Sequence, residues 1–120
     1  MDSGRELARE TWGKYLDEVT GELLNSEVSI EIVGGSPGRR LEAAHLALQA
    51  LSYDRRDDVF EVAGARGTAH LPSVVRHLVD HPERIAVDSP ASVVPTRIIV
   101  DDRDGVRTVV SITRPAAFAG

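Results

Sequence analysis

The chain has 120 residues, no cysteine and a formal net charge of −5. That length suits one domain, which at this size buries roughly two-thirds of its unfolded surface and needs no disulfide or thiolate–metal staple. The acidic balance speaks against non-specific nucleic-acid binding, which needs clustered cations, and no apolar run approaches the roughly 20 residues of a membrane span.

The N-terminus lacks a basic stretch followed by an apolar one, so it does not read as a signal peptide and a cytoplasmic location is expected. Thirteen of the fourteen basic residues are arginine, scattered among acids, with Lys14 the exception. The aromatics are Trp12, Tyr15, Tyr53, Phe60 and Phe118, so the core must be mostly aliphatic.

Residues 3–24 read as a helix. Ala8, Trp12, Leu16, Val19 and Leu23 recur at helical spacing and form one apolar stripe. Ser3 and Glu6 offer a capping box and Thr11 a later start, while Asn25 is a stop signal. Such a helix needs something to cover, with Trp12 as its anchor. Residues 27–33 alternate as a half-buried strand, with Val28, Ile30 and Ile32 inward. Residues 34–38, rich in Gly with one Pro, break the chain. From 39 to 51 periodicity leaves two readings: Leu41, Ala44, Leu48 and Leu51 fit a helix, whereas Leu46, Leu48 and Ala50 alternate as a strand.

A charged turn at 54–58 joins strands near 49–53 and 59–63. A loop is expected over 64–73. Residues 72–80 fit a short helix or a strand, and Pro82 ends them either way. A short strand at 85–87 and a hairpin of 96–100 with 106–113 follow, turned by Asp104-Gly105. Residues 1–114 are expected to form a single globular domain and 115–120 a loose tail. The expected core includes Trp12, Leu16, Val19, Ile30, Ile32, Leu48, Phe60, Val62, Ile85, Val87, Ile98, Val100, Val109 and Ile112.

Three constellations could carry chemistry. His77 and His81 would share a helical face, with His45 or His70 to complete a zinc set, but Pro82 ends the segment at once and no metal ligand is assigned. Asp54, Asp57, Asp58, Asp101, Asp102 and Asp104 make two acidic turns that could gather a hard cation if they met. They fail the calcium-loop pattern and serve as turn formers. The 34–40 segment could hold a phosphate if a helix followed it, which makes Gly35, Gly38, Arg39 and Arg40, with His77 nearby, the candidate ligand residues. No nucleophile elbow is present.

Tyr53-Asp54, Asp57-Asp58-Val59-Phe60-Glu61-Val62, His77-Leu78-Val79 with Pro82, Glu83 and Ile85, Asp104-Gly105-Val106-Arg107 and Arg114-Pro115 recur in one order and spacing. With Arg5-Glu6-Leu7 and Trp12, they make the chain resemble the DUF5335 family, a bacterial family of unknown function. The resemblance covers most of the chain, although 64–73 is longer than the family's usual connection. The family often has Pro near Ala47, which a helix would hardly tolerate. The resemblance therefore implies a β-rich fold with 39–53 as strand, and it supplies no catalytic residues.

The expected fold is α+β: an N-terminal amphipathic helix on a small, mainly antiparallel sheet or half-open barrel of five to six strands. The expected role is a non-enzymatic binding or accessory module without cofactor, metal, nucleic-acid or membrane partner. It would contact a protein partner or a second copy through sheet edges and the 64–73 loop. The alternative is a small-molecule or phosphate binder, enzymatic or not, using 34–40 and a nearby His.

Overall fold

A computed structural model describes residues 4–35, 38–67, 72–88 and 95–113. One antiparallel sheet dominates. Its strands are β1 (Gly4–Glu6), β2 (Glu27–Gly34), β3 (Gly38–Asp54), β4 (Val59–Gly67), β5 (Pro72–Asp80), β6 (Pro82–Asp88), β7 (Arg97–Asp102) and β8 (Arg107–Thr113). They lie in the order β1-β6-β7-β8-β2-β3-β4-β5, which leaves β1 and β5 as edges. One helix, α1 (Trp12–Leu23), accompanies them. The α+β class and the antiparallel sheet agree with expectation, whereas the count is eight strands rather than five to six.

The two added strands have clear causes. Residues 4–6 are extended because β6 offers them a partner: Gly4 pairs with Asp88 and Glu6 with Ala86, and the Leu7 N–H continues onto the Ile85 carbonyl at 2.8 Å. The helix therefore begins at Trp12, after a 3-10 turn at Arg9–Thr11, and not at residue 3. Ser3 of the expected capping box lies outside the described residues, and Glu6 sits in β1, bonded to Arg84 at 2.9 Å. Thr11 does occupy the N-cap, but its hydroxyl donates back to the Ala8 carbonyl at 2.7 Å. Asn25 stops the helix with φ 69°, a left-handed conformation that Asn tolerates. Residues 72–80 form the second added strand, because all nine pair with β4. Much of the expected 64–73 loop is therefore strand, with 68–71 outside the described residues, as is the 115–120 tail.

The 17-residue β3 does the most architectural work. Its first half pairs with β2 and its second with β4. It changes partner through three register breaks: Ala44 and His45 stand opposite Ser29, and Glu42 and Gln49 are single extra residues. Such bulges bend and twist a strand, and His45 has the positive φ of 58° that a bulge can require. Bending is needed, because β5 and β6 are joined by His81 alone although five strands separate them in the sheet. Beyond the end of β2, β3 would expose bare backbone. The α1 end fills that place: the Thr20 hydroxyl accepts the Leu51 N–H at 2.9 Å, and its own O–H lies between the Leu16 carbonyl at 2.8 Å and the Leu51 carbonyl at 3.1 Å.

The bend encloses one core. Trp12, Leu16, Val19 and Leu23 of α1 meet Val28, Ile30, Leu46, Leu48, Leu51, Phe60, Ile85, Ile98 and Val110, all buried. Trp12 is 1% exposed, and its indole N–H reaches the Leu7 carbonyl at 3.1 Å. Val109 is the one expected core residue that faces the other way. Thr108, Val110 and Ile112 are the buried positions of β8, and Val109 and Ile112, three apart, cannot share a strand face.

Candidate functional site

The two acidic turns meet at one corner of the molecule. The His81 N–H donates to the Asp58 carbonyl at 2.9 Å, and the His81 carbonyl accepts from the Arg103 N–H at 3.2 Å. His81 does this with φ 54°, and Asp58 with φ 56°. Two of the six carboxylates shape the turns themselves. Asp54 accepts from the N–H groups of Arg56 and Asp57 at 2.9 and 3.1 Å, and Asp102 accepts from those of Asp104 and Val106 at 2.8 and 3.0 Å. Among the described residues, no group of three or more His, Asp or Glu is placed to hold a metal ion.

Asp58 is the hub of a cluster at this corner. Its Oδ1 accepts from the Tyr53 hydroxyl at 2.7 Å and from Arg9 at 3.4 Å, and its Oδ2 lies 3.2 Å from His81 Nδ1. Arg9 also donates to the Tyr53 oxygen at 3.0 Å and to the Pro82 carbonyl at 2.9 Å. Its guanidinium lies 4.4 Å from the Trp12 ring centroid, and Tyr53 meets that ring edge-on at 5.0 Å. The Tyr53 hydrogen bond, followed by those of His81 and Arg9, holds the Asp58 carboxyl below its ordinary range. Burial, then the Asp58 contact, pushes the Tyr53 hydroxyl up. The cluster ties the start of α1 to the β3–β4 turn and the β5–β6 corner, and a cleft of about 570 Å³ lined by Gly13, Lys14 and Arg55 lies beside it. Arg9 carried no periodic or motif signal; the nearness of Tyr53 and Asp58 in sequence was the available hint.

Two of the five candidate ligand residues come together. Arg40 and His77 line one groove of about 420 Å³, together with His81, Arg103, the carboxylates Asp80, Asp102 and Asp104, and the buried Ile32 and Thr108. Burial lowers the His77 pKa from its ordinary value, which favours the neutral ring. Arg40 lies 3.3 Å from Glu42. Gly35 and Gly38 take φ 69° and 107° in the β2–β3 turn, and Arg39 reaches Glu31 at 3.6 Å; these three do not line the groove. Strand β3 follows the turn, so no helix N-terminus points there. His45 lies apart, 2.8 Å from Glu27, and His70 is outside the described residues.

The outer face of β3–β4–β5 presents a third surface. Pairing sets three rows across the strands: Ser52–Glu61–Leu78, Ala50–Ala63–Arg76 and Ala47–Ala65–Val74. Directly paired residues share a face, and the alternate positions Leu51, Val62 and Leu48 point into the core. Apart from Ser52 and the bonded pair Glu61–Arg76, every position in these three rows is apolar, and the next row on the same face, Asp54–Val59–Asp80, adds two carboxylates. Val74 is 62% exposed and Leu78 54%. The sequence did not reveal this face, since residues 72–80 fitted a short helix as well as a strand.

The chain belongs to DUF5335, a family of unknown function whose model matches residues 3–119. It is 33% identical over 112 residues to an uncharacterized protein of the bacterium Aquifex aeolicus (strain VF5), with 93% of each chain covered. No solved structure matches it significantly.

Proposed function

We propose that this DUF5335 chain is a non-enzymatic binding or accessory module of the bacterial cytoplasm, and that its contact surface is the outer face of β3–β4–β5. The observation that carries the reading is the apolar grid itself. A sheet face that meets only water ordinarily alternates to polar residues, and contiguous exposed apolar surface marks interaction sites. Here the fold turns Ala47, Ala50, Ala65, Val74 and Leu78 outward, with Ala63 among them only 7% exposed, while ion pairs bridge other strands. Affinity capture from a native host, with wild type and Leu78→Lys side by side, tests it. A stoichiometric protein retained by the wild type and lost by the variant is expected; equal retention by both removes this face from the reading.

A second reading has its own observation: Arg40 and the neutral His77 share a groove, a pairing suited to a small anionic ligand such as a phosphate compound. A thermal-shift screen with inorganic phosphate and nucleotides decides it, because a ligand bound to the folded state raises its midpoint by linkage. A shift abolished by Arg40→Ala supports this reading, and no shift with any compound rejects it.

A further inference from the structure

We infer that the β3–β4–β5 outer face packs on the same face of a second copy of this chain, around a two-fold axis, with Arg76 of each copy beside Glu61 of the other. The inference rests on the reading of this face as a contact surface, and adds the partner.

Shape is the first argument. The grid is uneven: β5 carries Val74, Arg76 and Leu78, whereas the matching positions of β4 and β3 are mostly alanine. It is a ridge beside a trough. A two-fold axis running along the strands between β4 and β5 lays the ridge of each copy over the trough of the other, which is the self-complementarity that an isologous interface needs. Alanines let two sheets approach closely where larger side chains would hold them apart.

Charge is the second argument. The middle of the face carries one anion and one cation, bonded to each other across neighbouring strands, while Asp54 and Asp80 lie in the end row. Glu61 is mostly covered, with its side chain 20% exposed, while Arg76 is 63% exposed and has donors to spare. In the two-fold arrangement Arg76 comes over Ala63 of the second copy, one row from its Glu61. Two separate pairs thus become a four-charge ring of alternating sign. An unlike partner would have to supply the same sequence of ridge, trough, anion and cation; a second copy supplies it by symmetry.

The test is the solution mass over a concentration series, read by sedimentation velocity. Wild type is expected to move from the 13.0 kDa monomer towards twice that mass as concentration rises. Glu61→Arg places two cations on the face and Arg76→Glu two anions. Each variant alone should remain monomeric, and an equimolar mixture should recover the doubled mass as a heterodimer. That recovery also shows that both variants are folded. A wild type that stays monomeric throughout, or single variants that dimerise as well as wild type, overturns the inference. If wild type is monomeric yet still retains a different protein that Leu78→Lys loses, the second copy is refuted while the contact-surface reading stands.

Discussion

The outer faces of the two halves of the sheet place their charges differently, although each carries an apolar row, Ala86–Ile99–Val109 in one and Ala47–Ala65–Val74 in the other. Over β6, β7 and β8, charges bridge neighbouring strands: Arg84 and Arg107 both reach Asp101, at 3.4 and 2.7 Å, and Arg97 reaches Asp88 at 2.9 Å. Glu6 of β1 extends the network to Arg84 at 2.9 Å. Over β3, β4 and β5 the middle of the surface is alanine, Val74 and Leu78 around one ion pair, with Asp54 and Asp80 in the end row. Inside, both halves bury the same kinds of side chain in one continuous cluster. The contrast teaches that stability does not explain the difference, because the core is already closed beneath both faces.

The largest effects should fail to distinguish the halves. Leu51, 1% exposed under the alanine face, and Ile98, 0% exposed under the charged one, are each expected to cost about 2–5 kcal/mol on substitution by alanine. Urea unfolding measures both. A loss below about 1 kcal/mol for Leu51→Ala alone would break the comparison, by showing that the β3–β5 half is loosely packed. Gly64 gives a smaller effect on the same side. A Cβ there would lie 2.7 Å from the Leu46 Cβ, so Gly64→Ala should cost about 1–3 kcal/mol through overpacking. A neutral result would mean that the β3 bend yields easily.

How much of this was legible before the fold was known depends on the range of the interaction. The β2 strand, the two charged turns and the Asn25 stop were readable because alternation and turn chemistry are local. The 4–6 segment was not, since its conformation is decided by its distant partner strand at 86–88. Residues 39–51 gave two valid periodicities because three bulges shift the strand's alternation, and the family resemblance rather than the pattern favoured strand. Of the candidate ligand residues, Arg40 and His77 line one groove, and the bent sheet, not a helix after the glycines, unites them. Arg9 and the outward turn of Val74 and Leu78 depended on tertiary placement and left no mark in the sequence.

The charged face should reveal itself through pH. The Arg107 hydrogen bond, with Arg84 behind it, lowers the Asp101 pKa from its ordinary 3.8. A carboxyl whose folded pKa is depressed contributes stability that is complete above the unfolded value and is lost as pH falls through the folded one. Asp101→Asn should therefore lower stability near neutrality by about 1 kcal/mol or less, given partial solvent screening. It should also flatten the acid limb below about pH 4. Urea midpoints from neutral pH downwards check both; parallel limbs for wild type and variant would show that the ion-pair network is incidental.

The smallest expected effect is the most informative about the alanine face. Leu78 is large, apolar and 54% exposed, and its row neighbours are Glu61 and Ser52. Leu78→Lys removes no buried surface from the core, and the Glu61 carboxylate directly opposite can accept the new cation. Its unfolding free energy in dilute solution should stay within about 0.5 kcal/mol of wild type. A residue that supports the fold would not behave this way: an interior leucine resists a buried charge, because desolvating an ammonium group costs far more than any single surface contact returns. A substantial loss of stability in Leu78→Lys would make this face a part of the folded core and remove the contrast between the halves. An unchanged stability leaves the exposed leucine without a role in the isolated chain, and its role must then be sought in contact with another molecule.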